Sequence, residues 1–344
     1  MKKILSLLFI ILLSFSLISC GNDKEDPVDN KIGDFHTELQ NKYLAGDYKN
    51  ASIYSKGKEE LSRPNPINLK WELEGSSYQV IIKEKDDNKE LVYNTTNTNL
   101  DVYNLKIHTE YEWYVNEIKQ GEFKTCDTLR NLYIDGITNC RDIGGYKLNN
   151  GYSNQGLLFR TSKLNDDYTG EVLITAKGIE ALKQLGIKTE LDLRKIEKDD
   201  DGIEQGNINS CCVEGVNYIS FPMASGGNYL QLNESILKDL FKILGNKDNY
   251  PMVFHCSIGT DRTGVVAFLV NALIGVSEED LYLDYCFSNF GLIYSMRSAS
   301  TITDYIKKVT SDKNKSLQEN VKNYLINLGV SEIDINNVIE IMTK

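Results

Sequence analysis

The apolar positions change their period near residue 127. Before it they alternate. Ile67, Leu69, Trp71 and Leu73 share one parity, as do Tyr78, Val80 and Ile82, then Leu91 and Tyr93, then Tyr111, Trp113 and Val115. Period two in short runs, separated by Gly, Asp, Asn and Thr clusters, predicts antiparallel strands of a small all-β sandwich. Beyond residue 127 helical spacing alternates with short apolar runs. Residues 175–185 predict a helix with Thr175 as N-cap, and residues 234–244 and 262–273 predict two more. Residues 189–193, 216–221 and 251–255 predict buried strands, and further helices run to the C-terminus. Strands alternating with helices predict an α/β layer, a largely parallel sheet covered by helices.

The first residues follow a third pattern. Lys2 and Lys3 precede an apolar run over residues 4–18, too short to span a bilayer comfortably. It ends in Leu17-Ile18-Ser19-Cys20 and then Gly21. This segment resembles the signal peptide and lipobox of bacterial lipoproteins, which implies lipidation of Cys20 and a membrane partner through that anchor, on the extracytoplasmic face of a bacterial cell membrane. An ordinary secretory signal is the alternative. The expected organisation is a signal segment over residues 1–20, a flexible tether over 21–49, the sandwich over 50–127 and a catalytic domain over 128–344.

Charge narrows the partners. A net charge of −11 argues against nucleic acid, whose phosphates need a basic footprint. It leaves a small phosphorylated substrate open, because one pocket can be positive on an acidic protein. The chain has seven cysteines and three histidines, with no pair at zinc-ligand spacing, so no metal or cofactor is expected. The adjacent Cys211 and Cys212 read as incidental or disulfide-bonded elsewhere.

One stretch carries chemistry. The apolar run Met252-Val253-Phe254-His255 leads into Cys256-Ser257-Ile258-Gly259-Thr260-Asp261-Arg262-Thr263-Gly264. A strand end, a tight loop and a helix start would converge amide N–H groups and a helix dipole on an anion. The same field favours thiolate at Cys256, making it a nucleophile. Arg262, six residues on, would return to face the phosphate with a two-pronged guanidinium. Thr263 can donate its hydroxyl to the sulfur. Ser257, Ile258, Gly259, Thr260 and Gly264 complete the expected substrate-binding loop. A buried, inert cysteine is the competing reading, and an Asp-Arg-Thr-Gly run is a poor core filler.

The loop is similar to that of the cysteine-based protein tyrosine phosphatase superfamily, most of all to bacterial tyrosine/dual-specificity phosphatases reading His-Cys-x-x-Gly-Lys-Asp-Arg-Thr-Gly. Further matching motifs are Asn139-Cys140-Arg141-Asp142-Ile143-Gly144-Gly145-Tyr146, Phe159-Arg160-Thr161-Ser162, Asp192-Leu193-Arg194 with Glu197, and Asp284-Tyr285-Cys286-Phe287-Ser288-Asn289. Trp71, Tyr111-Glu112-Trp113-Tyr114-Val115 and Gly121-Glu122-Phe123-Lys124-Thr125 resemble a fibronectin type III domain. The phosphatase resemblance implies hydrolysis of a phosphotyrosine protein or another phosphomonoester through a cysteinyl-phosphate, without cofactor. Inositol phosphates or phosphoinositides are the alternative substrates, and a phosphopeptide-binding or adhesion protein with a vestigial enzyme is the alternative class.

Three finer expectations follow. Thr260 stands where the family has Lys, which removes a cation beside the phosphate. The family's usual acid loop corresponds to Phe221-Pro222-Met223, which lacks a carboxylate, so Asp261 and then Asp192 are the candidate general acids. Arg194 is a candidate substrate contact at a strand end, or else a structural partner of Asp192. All phosphatase motifs lie after residue 130, so the sandwich before residue 127 is expected to be dispensable for chemistry, and a chain starting near Thr128 is expected to stay active.

Overall fold

The computed structural model describes residues 32–87, 89–195, 197–198, 204–205 and 213–344. The signal segment with Cys20, and the Cys211–Cys212 pair, lie outside the described residues.

The alternating region folds as two facing sheets. The strands are β1 (Ile32–Gly33), β2 (Ile67–Lys70), β3 (Tyr78–Glu84), β4 (Glu90–Thr95), β5 (Asn99–Val102), β6 (Glu110–Val115) and β7 (Ile118–Thr125). One sheet runs β1-β7-β6-β3-β4 and the other pairs β2 with β5. Tyr78, Val80 and Ile82 of β3 face inward with Tyr111, Trp113 and Val115 of β6, the parity the sequence predicts. Trp71 stands edge-on to Tyr78, ring centroids 5.4 Å apart, in a core separate from that of the α/β layer.

Over its described part, residues 32–49, the chain does not form the expected tether. Residues 34–62 make a strap over the α/β layer. Thr37 and Gln40 close a reciprocal capping box that starts α1 (Glu38–Leu44), and a 3-10 turn spans Tyr48–Ile53. Tyr43 is fully buried, donates its hydroxyl to the Leu283 carbonyl at 2.8 Å, and packs 5.1 Å from the Phe290 ring. Buried apolar surface, rather than the polar residues around it, decides that this segment docks.

The α/β sheet has the spatial order β11-β10-β12-β9-β8, where β8 is Arg141–Asp142, β9 Leu158–Thr161, β10 Thr189–Asp192, β11 Asn217–Ser220 and β12 Met252–His255. β9 to β12 are mutually parallel and β8 is antiparallel at the edge. β8 and β9 are not visible as strands in the sequence pattern, because both are buried on both faces and carry arginines. The helices are α2 (Ala176–Gln184), α3 (Tyr229–Leu232), α4 (Leu237–Leu244), α5 (Asp261–Leu273), α6 (Glu278–Phe287), α7 (Ser300–Val309), α8 (Leu317–Asn327) and α9 (Glu332–Thr343). Thr175 caps α2, its hydroxyl accepting from Gly178 N at 3.3 Å. Every residue of α5 is buried except Arg262. A helix apolar on all sides belongs inside a domain, and this one leaves a single side chain, in its first turn, free to meet a ligand.

Candidate active site

The central strand β12 ends at His255 and α5 begins at Asp261, so residues 256–260 form a loop at the carboxyl edge of the sheet, where open α/β sheets take ligands. The loop is held from beneath. Asn139, at φ +56, donates its amide nitrogen to the carbonyls of Ile258 and Gly259 and to the Thr260 hydroxyl, all at 3.1 Å. Arg160 of β9 donates to the Gly259 carbonyl at 2.9 Å. With its carbonyls turned down onto these donors, the loop leaves the amides of Ser257, Ile258, Gly259, Thr260, Asp261 and Arg262 without an acceptor among the described residues. Consecutive unpaired N–H groups at a helix start are an anion-binding nest. Gly259 is required at φ +69, since a Cβ there would lie 2.3 Å from the Thr161 carbonyl oxygen.

Cys256 sits at the base of this nest, 2% exposed. Burial alone would push its thiol up, but Arg262 and the hydroxyl and amide of Thr263 outweigh burial and bring it below the ordinary thiol value. Beneath it, His255 is pinched between carboxylates: Nε2 lies 3.0 Å from Glu190 and Nδ1 3.9 Å from Asp192. Burial opposes the imidazolium, and Asp192 and Glu190 raise it above the usual histidine value. Its Nδ1 is also 3.2 Å from the Cys256 carbonyl, which orients the first peptide of the loop.

The arginines separate by counting donors. A guanidinium has five N–H bonds. Arg262 spends one on the Leu193 carbonyl at 3.4 Å and one on the Ser257 hydroxyl at 3.2 Å, leaving three unengaged among the described residues. A buried thiol brought down by a cation, six unpaired amides and a partly exposed arginine six residues on make a phosphate cradle with a nucleophile at its floor. The model of the tyrosine phosphatase family matches residues 132–340. The chain belongs to that family.

Among relatives of this chain, the tyrosine-protein phosphatase of Nostoc commune is 28% identical over 125 residues, 32% of this chain and 42% of that one. Matches to curated relatives span from 42% to 63% of the relatives' own lengths. Among solved structures, P. aeruginosa TpbA is 16% identical, with a TM-score of 0.32 over 51% of this chain and 87% of that one. The core catalytic domain of the PP-IP phosphatase SIW14 from S. cerevisiae is 15% identical, with a TM-score of 0.32 over 52% of this chain and 92% of that one.

The geometry of the site corrects several expectations. Arg194 gives Nε to Asp192 at 2.9 Å, Nη1 to the Asn165 carbonyl and Asp167, and Nη2 to Asn165 Oδ1 and Asp192. All five donors are used, so it is a structural partner and not a substrate contact. Asp192 is fully buried in the same pair and accepts from the Tyr218 hydroxyl at 3.1 Å, which removes it as an acid facing a substrate. Asp261 is gripped by both prongs of Arg297, at 2.8 Å each, and accepts from the Tyr285 hydroxyl at 3.3 Å. Both carboxylate oxygens are engaged by one guanidinium, so the geometry favours bracing over proton donation. Thr260 is fully buried with its hydroxyl on Asn139, and offers a ligand only its amide.

The motifs around Asn139, Arg160 and Asp284 form the frame under the loop, a role their match to the family did not specify. Asp284 joins Arg141, at 2.7 Å, to Arg160, and Arg141 donates to Ser288 at 3.0 Å. The strap reaches this frame as well: Ser62 Oγ accepts from Asn139 N at 3.0 Å, and Asn131 Nδ2 donates to Gln40 and to the Ser62 carbonyl. The Thr37-x-x-Gln40 capping box was the readable signal for the strap. No local pattern announces Arg297 as a neighbour of the loop.

Proposed function

We propose that the chain is a protein-tyrosine phosphatase. The observation that carries this reading is the loop itself, with six unpaired amides, Arg262 with free donors and a depressed Cys256 thiol. The Cys256 thiolate attacks phosphorus, the sulfur–phosphorus bond forms and the ester oxygen leaves. Water then attacks phosphorus and expels the thiolate, which the Thr263 hydroxyl steadies. The amides and Arg262 stabilise the charge of both transition states.

A phenolic leaving group suits this site. Asp261 and Asp192 are both tied to arginines, so protonation of the departing oxygen receives little help from either. A tyrosine oxygen, with a pKa near ~10, leaves unaided far better than an alkyl oxygen. The test is hydrolysis of phosphotyrosine peptides, phosphoserine peptides, inositol phosphates and phosphoinositides under reducing conditions. Preferred turnover of phosphotyrosine, lost by about a thousandfold or more in Cys256→Ser with the fold intact, is expected. Preference for an inositol phosphate would overturn the substrate, and an active Cys256→Ser would overturn the mechanism.

Localisation belongs to the same proposal. The Leu-Ile-Ser-Cys pattern at residues 17–20 supports a lipid anchor on Cys20 at the outer face of a bacterial cytoplasmic membrane. Among the described residues no helix is long and apolar enough to cross a membrane. Metabolic labelling with palmitate should mark the wild type and not Cys20→Ala; unlabelled wild type in the medium would refute the anchor. The two-sheet arrangement of residues 67–125 supports the fibronectin type III-like reading of the sandwich.

A further inference from the structure

Two clusters of metal-ligating side chains occur among the described residues. One is Glu190, Asp192 and His255, beneath the phosphate loop and already balanced by Arg194. The other is Asp34, His36 and Cys126, where the strap leaves the sandwich, and nothing in the phosphatase mechanism uses it.

The donor atoms of Asp34, His36 and Cys126 lie within 4.8 Å of one another, and His36 Nδ1 is 3.2 Å from Asp34 Oδ1. Tetrahedral ligands about 2.0–2.3 Å from a zinc ion stand roughly 3.3–3.8 Å apart, so small side-chain shifts close this set. The other ring nitrogen, Nε2, lies 2.8 Å from the Leu129 carbonyl, which can only accept, so Nε2 carries a proton. Nδ1 faces the Asp34 carboxylate, and the backbone carbonyl fixes the ring as it does for a ligating imidazole. Leu129 presents that carbonyl from φ +54, a conformation costly for leucine.

A Cys-His-Asp group could instead be a nucleophilic relay. A relay places thiol and carboxylate on opposite ring nitrogens. Here the Leu129 carbonyl occupies the nitrogen opposite Asp34, which leaves no ring nitrogen for a thiol relay, and the three donors cluster within 4.8 Å. We propose that Asp34, His36 and Cys126 form a binding site for Zn²⁺ or a like divalent metal, with water completing the shell. Asp34 is partly exposed in a surface cleft, which lets a hydrated ion enter. Binding releases to solvent the Cys126 thiol proton and the Nδ1 proton that His36 shares with Asp34. Because Asp34 follows β1, His36 precedes the cap of α1 and Cys126 follows β7, the metal would fasten the strap to the sandwich. The spacing from Asp34 and His36 to Cys126 is too long for any local motif, which is why the sequence offered no metal site.

The test uses full-length Cys256→Ser protein, so that the loop thiol cannot ligate, titrated with Co²⁺ and then Zn²⁺. One equivalent of Co²⁺ should produce a thiolate-to-cobalt charge-transfer band that Zn²⁺ abolishes, and the melting temperature should rise with Zn²⁺. Adding Cys126→Ser should remove the band, and adding His36→Ala should weaken Zn²⁺ affinity by about tenfold or more. If the His36 variant does not fold, Asp34→Asn, on a partly exposed carboxylate, carries the affinity measurement. No band at stoichiometric Co²⁺, a band that survives Cys126→Ser, or unchanged Zn²⁺ affinity in the His36 or Asp34 variant would overturn the site.

Discussion

Residues with the same chemistry have different tasks here because of what surrounds them. Among the described residues Arg262 has donors to spare in a partly open cradle, whereas Arg194 has none and lies buried in a pair with Asp192. Arg262→Lys should therefore keep the fold and lose on the order of 10²–10³ in kcat, because an ammonium cannot hold two phosphate oxygens in one plane. Arg194→Lys should act on stability, in the range of about 3–5 kcal/mol for a broken buried pair, read by chemical denaturation. Asp261→Asn should slow aryl and alkyl phosphates by the same factor, and Arg297→Ala should reproduce the loss without adding to it in the double variant. A much larger loss on the alkyl ester would restore Asp261 as the acid. Cys256 predicts a pH profile. Thiolate is the reactive form, so kcat/KM should rise with pH through the depressed thiol value and level off below the ordinary thiol range. Thr263→Ala removes one of the groups that lower the thiol, so that ascending limb should move to higher pH.

Elements matter by what they hold in place. The phosphate loop keeps its shape because Asn139, Arg160 and Gly259 fit under it. Gly259→Ala needs both an unfavourable φ and movement of the Thr161 carbonyl, so it should cost about 1–3 kcal/mol of stability and most of the turnover. The strap helix α1 is seven residues long, too short to persist alone, so its cap and its packing decide whether it forms. Thr37→Ala should destabilise by about 1 kcal/mol, and Tyr43→Phe by about 0.5–1.5 kcal/mol through the lost bond to the Leu283 carbonyl.

At the scale of the whole molecule, the order of segments in the chain differs from their order in space. The strap precedes the sandwich but packs with the α/β layer that follows it. A protein starting near Thr128 would lose Tyr43, Gln40 and Ser62, and leave Asn131 and Asn139 without their strap partners. It should be insoluble or severely destabilised, contrary to the expectation that a chain starting near Thr128 stays active. Replacing residues 65–128 with a short flexible linker should spare the strap. Ser62 lies against Asn131, and Arg63 stacks 5.5 Å from the Tyr133 ring, so the two ends are close. That protein should fold and keep most aryl-phosphatase activity. Equal failure of both deletions would mean the sandwich itself supports the site, through the Arg130 bonds to the Asn104 and Leu105 carbonyls.

By itself the sequence determined what is local. Period two produced the sandwich strands, because each needs only one buried face. The strand-loop-helix around Cys256 was legible because a nest of amides and an arginine six residues on are built from one continuous segment. Tertiary structure alone decided the rest. Whether Arg194 or Arg262 has donors to spare, whether Asp261 is free or clamped by Arg297, and where residues 34–62 dock are set by contacts between segments distant in sequence. Hydrogen-bond capacity is finite, and only the assembled fold shows which partners have already used it.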